Sequence, residues 1–421
     1  AYEIKECDWS SDVCSSDLVR VILMMLPLPG KPRITVAKIF WVGFSSPPVK
    51  LLGLLFYLCC NMRNRNSFNS YFGVIGSLSF AFLLGCGSIG SHKKSRTSNQ
   101  FGEVDPTAVS PFRVAFYNLE NLFDTVDGPN DDAEFLPGSD NRWNSERYQS
   151  KLHNMSKVID SIAPDILGVV EVENAFVLED LRGFCGSMLD ANEFRSGESA
   201  ARNSYYEIVH RESPDLRGID VALLFNRRKF YSTGVYMIPV TLADGITTRS
   251  IMRVHLIERL TGDSLTIFVN HWPSRRGGAA SAASRLAAAA ALMQNIQSTP
   301  NLPNNYLIMG DFNDDPEDRS ITEGLNAGDV YHPIVNLAYV ARSKDSTIGT
   351  LAWHDGWNMF DQIMVSRALY FANLHNHELV APNTASQVGP HINIYKKPWM
   401  LQHGGKYDGW PLRTFAGKKY M

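Results

Sequence analysis

The sequence has few cysteines outside its front end, and it has no strong excess of charge of either sign. Cys185 is the only cysteine that follows Cys86, so the long remainder of the chain cannot form an intramolecular disulfide. The formal net charge of -3 over 421 residues provides no global attraction for nucleic acid, and a nucleic-acid substrate must be argued from a local site. The composition, 44% hydrophobic and 20% charged, excludes a disordered chain, a collagen-like repeat and a polytopic membrane protein.

The first 61 residues lack the pattern of a folded domain. Residues 10–18 contain the near-duplication Ser-Ser-Asp-Val-Cys-Ser-Ser-Asp-Leu, which has neither helical nor strand periodicity and resembles a translated sequencing-adapter remnant. A disordered tail is the alternative. Residues 21–61 mix apolar runs with scattered Pro and Lys, and no uninterrupted apolar run there reaches the roughly 20 residues of a membrane span. We interpret residues 1–61 as non-native upstream translation and leave them out of the fold.

Residues 62–86 have the pattern of a bacterial lipoprotein signal peptide. A positively charged start at residues 62–65 precedes an apolar stretch at residues 71–84, and the segment ends in Leu-Leu-Gly-Cys. The small Gly suits peptidase cleavage, and the thiol of Cys86 would carry the lipid. The pattern predicts a polar tether over residues 87–110 and an extracytoplasmic, membrane-anchored lipoprotein of a bacterium. A buried helix with a chance cysteine is the alternative.

From residue 111 onward, short apolar runs alternate with turns. The two helices predicted are an amphipathic one over residues 148–162 and an Ala-rich one over residues 279–297. Strands outnumber helices, and most strands end in a polar cluster, which favours two stacked sheets flanked by helices with the active groups at the strand ends. The predicted strands cover residues 113–118, 166–171, 221–225, 250–256, 265–270, 306–310 and 362–365.

Polar clusters lie directly at the edges of five of these apolar runs. They occupy residues 118–124, 171–174, 270–275, 310–314 and 360–363. Carboxylates, amides and imidazoles are costly to bury unless they are paired or bind a cation. One such cluster is more often a cap or a turn, but five in one chain favour a shared site.

The residue types in these clusters suit metal-assisted attack on a phosphate ester. Oxygen ligands without a Cys/His set favour Mg²⁺, with Mn²⁺ or Ca²⁺ as alternatives, over zinc. A carboxylate-held cation beside a His and an Asp-x-Asn pair can neutralise phosphate charge while the side chains orient and deprotonate water. The chain contains no Gly-rich phosphate loop and no serine nucleophile elbow, which disfavours nucleotide-driven transfer and serine hydrolysis.

The order of the clusters resembles the endonuclease/exonuclease/phosphatase superfamily. The most specific matches are Pro-Asp-Ile-Leu-Gly-Val-Val-Glu at residues 164–171 and Gly-Asp-Phe-Asn at residues 310–313. The resemblance covers nearly all of residues 111–421 and implies one domain, a four-layer α/β sandwich of two packed, mainly antiparallel sheets flanked by helices. Members of the superfamily include deoxyribonuclease-like enzymes, abasic-site endonucleases, sphingomyelinases and inositol-phosphate phosphatases.

The resemblance also implies a role for each candidate site residue. It implies metal binding by Glu120 and Glu171, and substrate binding by Arg217 and Arg275, although either arginine could instead belong to a solvated surface turn. The implied catalytic residues are Asn118 beside the metal, His271 at the scissile phosphate, Asp311 and Asn313 at the attacking water, and Asp361 as a supporting aspartate. Glu173 and Asp314 are expected to act indirectly.

One departure from the family concerns the end of the chain. The family closes with a Ser-Asp-His strand, and this sequence stops at Met421 without it. We therefore expect the sandwich to lack its last strand, with truncation of the gene model as the reason.

The function expected is that of a metal-dependent phosphodiester hydrolase, as an extracytoplasmic, lipid-anchored nuclease. A phosphatase or sphingomyelinase-like phospholipid hydrolase is one alternative, which Trp272, Trp353, Trp357 and Trp410 keep open. A catalytically dead surface binding module is another. The partners expected are nucleic acid or another phosphodiester, and a membrane reached through the lipid; no protein partner is predicted.

Overall fold

The fold is known from a computed structural model. The structure describes residues 20–26, 112–185, 205–299, 302, 304–353, 356–378, 391–406 and 408–412. All of these residues belong to one compact unit, which consists of Ala1–Lys31 and Thr107–Met421. The other unit, Pro32–Pro106, lies outside the described residues, as do the predicted signal peptide, Cys86 and the tether.

Six strands form the first sheet. They are β1 (Arg20–Leu26), β2 (Phe112–Leu122), β3 (Ile166–Val172), β4 (Tyr206–His210), β5 (Asp220–Asn226) and β15 (Ile392–Ile394). Their order is β15-β1-β2-β3-β5-β4. Only β2 and β3 pair in parallel, while the other neighbours in this sheet are antiparallel. The parallel pairing brings the carboxyl ends of β2 and β3 to the same edge of the sheet.

Seven strands form the second sheet. They are β6 (Phe230–Thr241), β7 (Thr247–Glu258), β8 (Ser264–His271), β9 (Tyr306–Asp311), β10 (Ala327–Gly328), β11 (Ile334–Asn336) and β14 (Asp361–Ser366). Their order is β10-β11-β14-β9-β8-β7-β6. The pairs β8/β9 and β10/β11 are parallel, and the other pairs are antiparallel. A separate hairpin joins β12 (Leu351–Trp353) to β13 (Gly356–Asn358).

Helices cover the outer faces of the two sheets. Ser145–Ile162 and Ala175–Phe184 begin at asparagines whose side chains accept hydrogen bonds from the first free backbone N–H groups, which stabilises a helix start. The other helices are Ala279–Ser298, Leu337–Arg342 and Arg367–Glu378, with short turns at Ala133–Phe135, Arg275–Gly277, Ser320–Gly324 and Pro398–Met400. None of the helices in the described part of the chain is long and apolar enough to cross a membrane.

Three apolar cores separate the four layers. The middle core lies between the sheets and contains Phe116, Val170 and Met309. Because side chains alternate along a strand, the neighbouring Tyr117 points to the opposite face and joins the core beneath Ser145–Ile162. A third core lies between the second sheet and Ala279–Ser298. The four-layer α/β sandwich predicted from the sequence is therefore confirmed.

The front of the chain contributes one strand to this fold. Residues 20–26 lie within residues 1–61, which the sequence predicts to be outside the fold. The structure places them as β1, hydrogen-bonded to β2 on one side and to β15 on the other. Ile22, for example, is opposite both Phe116 and Ile394. The run Val-Ile-Leu-Met-Met-Leu at residues 21–26 is apolar throughout, a pattern that favours a strand when the run is this short.

Candidate active site

The polar clusters predicted from the sequence converge where the two sheets face each other. Asn118 and Glu171 lie at the carboxyl ends of the parallel strands β2 and β3. On the second sheet, Asp311 is opposite His271 on one side and Asp361 on the other. The residues come from five strands that are distant in the sequence, and all five are buried.

Three of these residues form a group that could hold a metal ion. Each of Glu171, His271 and Asp311 offers one ligand atom, and these atoms all lie within 4.8 Å of one another. The His271 Nε2 atom is 3.8 Å from Glu171 Oε1. The Asn118 amide Nδ2 donates to Glu171 Oε1 at 3.0 Å and to Asp311 Oδ2 at 3.2 Å. Asn118 therefore joins the carboxylates of the two sheets through a single side-chain amide.

A bulge in β2 brings one backbone N–H group to Glu171 and another to the Asn118 side chain. The pairing of β2 with β3 shifts between Asn118 and Leu122, and the bulged Glu120 and Asn121 have φ values of 47° and 53°. The Asn121 N–H donates to Glu171 Oε2 at 2.9 Å, and the Glu120 N–H donates to Asn118 Oδ1 at 2.8 Å. Left-handed backbone is strained for residues other than glycine. Glu171, with a φ of 61°, shows the same strain.

Asn313 orients Asp311 and connects two strand ends. Its backbone N–H donates to Asp311 Oδ1 at 2.9 Å, and its side-chain Nδ2 donates to the Trp272 carbonyl at 2.9 Å. The Trp272 N–H in turn donates to the Asp311 carbonyl at 2.9 Å. Asn313 has a φ of 50°, a conformation that asparagine tolerates better than most residues. Trp272 itself is buried against Phe312, so it offers no exposed aromatic surface.

Asp361 and Glu120 are buried beside this group but are not members of it. The Asp361 backbone N–H donates to Thr350 Oγ1 at 3.2 Å, and Asp361 is fully buried. Glu120 is also buried. Burial raises the pKa of the Tyr117 hydroxyl, and the nearby charge of Glu120 raises it further. The Glu120 carboxylate thus lies within electrostatic reach of Tyr117, whose side chain packs on the helix side of the sheet.

Arg275 has a different set of contacts from the phosphate contact that the sequence predicts. Its Nε donates to the Asn313 carbonyl at 2.9 Å, and its guanidinium pairs with Asp314, Asp315 and Asp318. It also lies over the ring of Phe360. Through these contacts Arg275 stabilises the loop that carries Asn313. The role of Arg275 in substrate binding stays a prediction.

Arg217 lies on a loop that is tied to the site. The Arg249 guanidinium donates to Asp215 Oδ2 at 2.8 Å and to the His271 and Trp272 carbonyls, both at 3.2 Å. This bridge fixes the Arg217 loop against the end of β8. Burial raises the pKa of Glu134, while the charges of Arg217 and Arg276 lower it, so the two guanidinium groups approach one carboxylate from different loops.

A second acidic cluster lies beside the metal-binding group. The Asp124 N–H donates to Glu173 Oε2 at 2.7 Å. Burial raises the pKa of Glu173 to about 7, the hydrogen bond from Asp124 opposes that shift, and the charges of Asp124 and Asp132 add to it. Glu173 thus supports the loop that follows β2. On the second sheet, Asp314 pairs with the buried Arg285 at 2.7 Å. Neither residue belongs to the group of Glu171, His271 and Asp311, and their indirect roles stay a prediction.

Several residues of the site are absent from the sequence prediction. Lys151, Trp143 and Arg249 contact the strand ends through backbone carbonyls. Helical periodicity alone places Lys151 on the same face as Leu152 and Met155, which is the only sequence signal for its burial. His210 and Asp220 form a further buried pair, with Nε2 and Oδ2 2.9 Å apart.

The chain is similar to several solved structures at low sequence identity. The human Nocturnin catalytic domain with bound sulfate is 18% identical, over 51% of this chain and 75% of that one, with a TM-score of 0.37. A mannosyl-6-phosphatase from Bacteroides thetaiotaomicron is 18% identical, over 60% and 84%, with a TM-score of 0.41. Truncated Caenorhabditis elegans TDP2 is 16% identical, over 56% and 81%, with a TM-score of 0.38.

The sequence comparisons are more decisive. No curated protein matches the chain. A family model described as the endonuclease/exonuclease/phosphatase family matches residues 113–421, a range that includes every strand contributing to the site. The chain therefore belongs to the endonuclease/exonuclease/phosphatase family.

Proposed function

We propose that this chain is a metal-dependent phosphodiester hydrolase, and that it acts as an extracytoplasmic nuclease attached by a lipid. The observation that carries the proposal is the buried group of Glu171, His271 and Asp311, whose ligand atoms lie within 4.8 Å of one another. Two buried carboxylates this close repel each other, and a cation relieves that repulsion. The oxygen-rich donor set suits Mg²⁺, with Mn²⁺ or Ca²⁺ as alternatives.

Each side chain of the site has a separate role in the proposed reaction. Glu171 and Asp311 would hold a divalent cation, which would neutralise charge at the phosphate and make a nearby water more acidic. Asn118 keeps both carboxylates in place through its amide. His271 stands at the end of β8, and its Nε2 lies 3.8 Å from Glu171 Oε1. From this position, Nε2 can donate to a phosphate oxygen. Asn313 holds Asp311 so that its carboxylate can accept the proton of the attacking water.

Cleavage assays test the proposal directly. The full chain is incubated with DNA, RNA and bis(4-nitrophenyl) phosphate, with Mg²⁺, Mn²⁺ or Ca²⁺ and with a chelator. We expect metal-dependent cleavage that falls by roughly 10²–10⁴-fold in Asp311→Asn and His271→Gln, since each removes a proton-transfer or phosphate contact. His332→Gln, at a partly exposed histidine paired with Asp329, is the matched control and should retain full activity.

The same assay separates the hydrolase from an inactive binding module. Absence of metal-dependent cleavage of every substrate would refute the hydrolase. Retained binding of a phosphodiester without turnover would then favour the catalytically dead surface binding module.

A phospholipid hydrolase is the second candidate, because large apolar side chains are exposed on segments near the strand ends. Val126 follows β2, Phe176 follows β3 and Leu216 precedes Arg217, and they are 68%, 77% and 88% exposed. Exposed apolar surface beside a catalytic site suits an amphipathic substrate. Sphingomyelin or phosphatidylinositol vesicles in the same assay distinguish the two candidates: faster turnover of vesicles than of nucleic acid would favour the lipid substrate.

The lipid anchor has its own test. The Leu-Leu-Gly-Cys sequence that ends at Cys86 supports lipidation of the Cys86 thiol. Cells that express the chain from Met62 are labelled with a radioactive fatty acid. We expect label on the protein and its loss in Cys86→Ala; equal label on both proteins, or on neither, would refute the anchor.

A further inference from the structure

The bulge of β2 presents two sets of backbone groups to opposite sides. Its N–H groups at Glu120 and Asn121 face the site, where they bond to Asn118 and Glu171. No residue of β3 pairs with Glu120 or Asn121, because the register shifts between Asn118 and Leu122. The Asn121 carbonyl accepts from the Phe123 N–H at 3.1 Å, and a buried carbonyl oxygen has a second lone pair that can accept from another donor.

Lys151 supplies that donor from the neighbouring helix. Its ammonium Nζ donates to the Asn121 carbonyl at 3.2 Å and also to the Glu120 carbonyl. The side chain is only 2% exposed, and its charge lies over the ring of Trp143. Burying an ammonium group is expensive, and an apolar residue of the same length would fill this space without that penalty. The hydrogen bonds to the two carbonyls offset part of that cost.

Trp143 contacts the backbone that directly follows the bulge. Its indole Nε1 donates to the carbonyls of Phe123 and Asp124, at 3.1 Å and 3.0 Å. Lys151 and Trp143 together bond to four of the five carbonyls from Glu120 to Asp124. This stretch of backbone contains Glu120 and Asn121, which both have left-handed φ values. A residue other than glycine adopts this conformation at a cost of roughly 1–3 kcal/mol, and only where the surrounding structure enforces it.

We propose that Lys151 is a positioning residue for the metal site: it holds the β2 bulge so that the Asn121 N–H and the Asn118 side chain fix the Glu171 carboxylate. The contacts form a continuous chain through the peptide group between Glu120 and Asn121: Lys151 Nζ donates to its carbonyl, and its N–H donates to Glu171 Oε2. Groups that orient a metal ligand in this way usually change metal affinity or activity by roughly 10–100-fold when removed. The inference rests on the proposed metal-dependent function.

Lys151→Met tests the inference because it keeps the length of the side chain and removes its donors. Binding of Mn²⁺ and Tb³⁺ alone is measured by calorimetry and luminescence, and hydrogen exchange of the backbone from Phe112 to Asp124 is measured without metal. We expect roughly 10–100-fold weaker metal binding and faster exchange at the bulge. Lys151→Arg, which retains donors, should recover most of both properties.

Lys157→Met is the matched control, since Lys157 is exposed on the same helix and lies over Trp399. It should bind metal as the original protein does. If Lys151→Met fails to fold, Lys151→Gln, which retains a neutral donor, is measured with the same two methods and should give intermediate values.

Metal binding by Lys151→Met within twofold of the original protein, or equal losses in the Arg and Met variants, would overturn the inference. Failure of the original protein to bind either cation would count against the proposed function instead. Exchange at the bulge still decides the role of Lys151 in that case: unchanged exchange overturns it, and faster exchange supports it.

Discussion

Gly310 offers a sharp test of how closely the active site depends on strand spacing. It lies in β9 opposite Asn270 of β8, one residue before Asp311. A Cβ atom at Gly310 would lie 2.6 Å from Asn270 Cβ and would also meet the Asn270 carbonyl. Carbon atoms prefer a separation of about 3.5–4.0 Å, so Gly310→Ala must move the two strands apart locally by about 1 Å. A backbone carbonyl cannot rotate away from this contact as a flexible side chain could.

The size of the effect follows from that displacement. Forcing an extra methyl group into a well-packed core lowers the free energy of unfolding by about 1–3 kcal/mol. Asn270 precedes His271 just as Gly310 precedes Asp311, so the same movement separates two groups of the site. A misplacement of about 1 Å can lower a catalytic rate by roughly 10²-fold. Gly310→Ala should therefore fold with reduced stability and hydrolyse substrate about 100-fold more slowly.

Urea unfolding followed by circular dichroism, together with metal-dependent cleavage of bis(4-nitrophenyl) phosphate, measures both effects. Gly183→Ala is the control: a Cβ there meets nothing within 4 Å, and in the helix Ala175–Phe184 alanine should stabilise by about 1 kcal/mol. Unfolding of Gly310→Ala at the same urea concentration as the original protein, with a rate within twofold, would refute the argument from strand spacing.

Two further predictions concern stability away from the reacting groups. Arg285→Met removes the 2.7 Å partner of the buried Asp314 carboxylate, which keeps Arg275 at 3.3 Å and the Ser320 hydroxyl at 2.6 Å. The free energy of unfolding should therefore fall by about 2 kcal/mol; a change below about 1 kcal/mol in urea unfolding would contradict this. Burial and the charge of Arg253 lower the pKa of His255, so stability is lost as the pH falls through its unfolded pKa of about 6.5. His255→Gln should therefore reduce the loss of stability between about pH 7.5 and about pH 5. Urea unfolding with a chelator present measures this, and the same pH dependence in the variant and the original protein would contradict the role given to His255.

The sequence predicted the central strands well because their pattern is local. Ile166–Val172 and Asp220–Asn226 are buried along their whole length, and a continuous apolar run bounded by polar residues marks such strands in any sequence. β6 was missed for the opposite reason. It lies at the edge of the second sheet and is exposed at alternate positions over only part of its length. The alternation of apolar and polar residues along β6 is therefore too weak to indicate a strand.

The candidate site shows the same division. Asp311 and Asn313 stand two residues apart at the end of a strand, and their joint action through one loop could be expected from that spacing. Arg275 was expected at the substrate because it follows His271 closely, whereas the folded loop surrounds its guanidinium with three aspartates. Distance along the chain does not report which carboxylates reach an arginine after folding.

By itself, the sequence determined the central strands, the polar clusters at their ends and the kind of chemistry that those clusters can perform, because each depends on residues close together in the chain. Only the tertiary structure decided which clusters meet. The parallel pairing of β2 with β3 and of β8 with β9 brings Glu171 within reach of His271 and Asp311. The β2 bulge, which Lys151 holds from a neighbouring helix, exists only because distant backbone groups must find partners once they are buried.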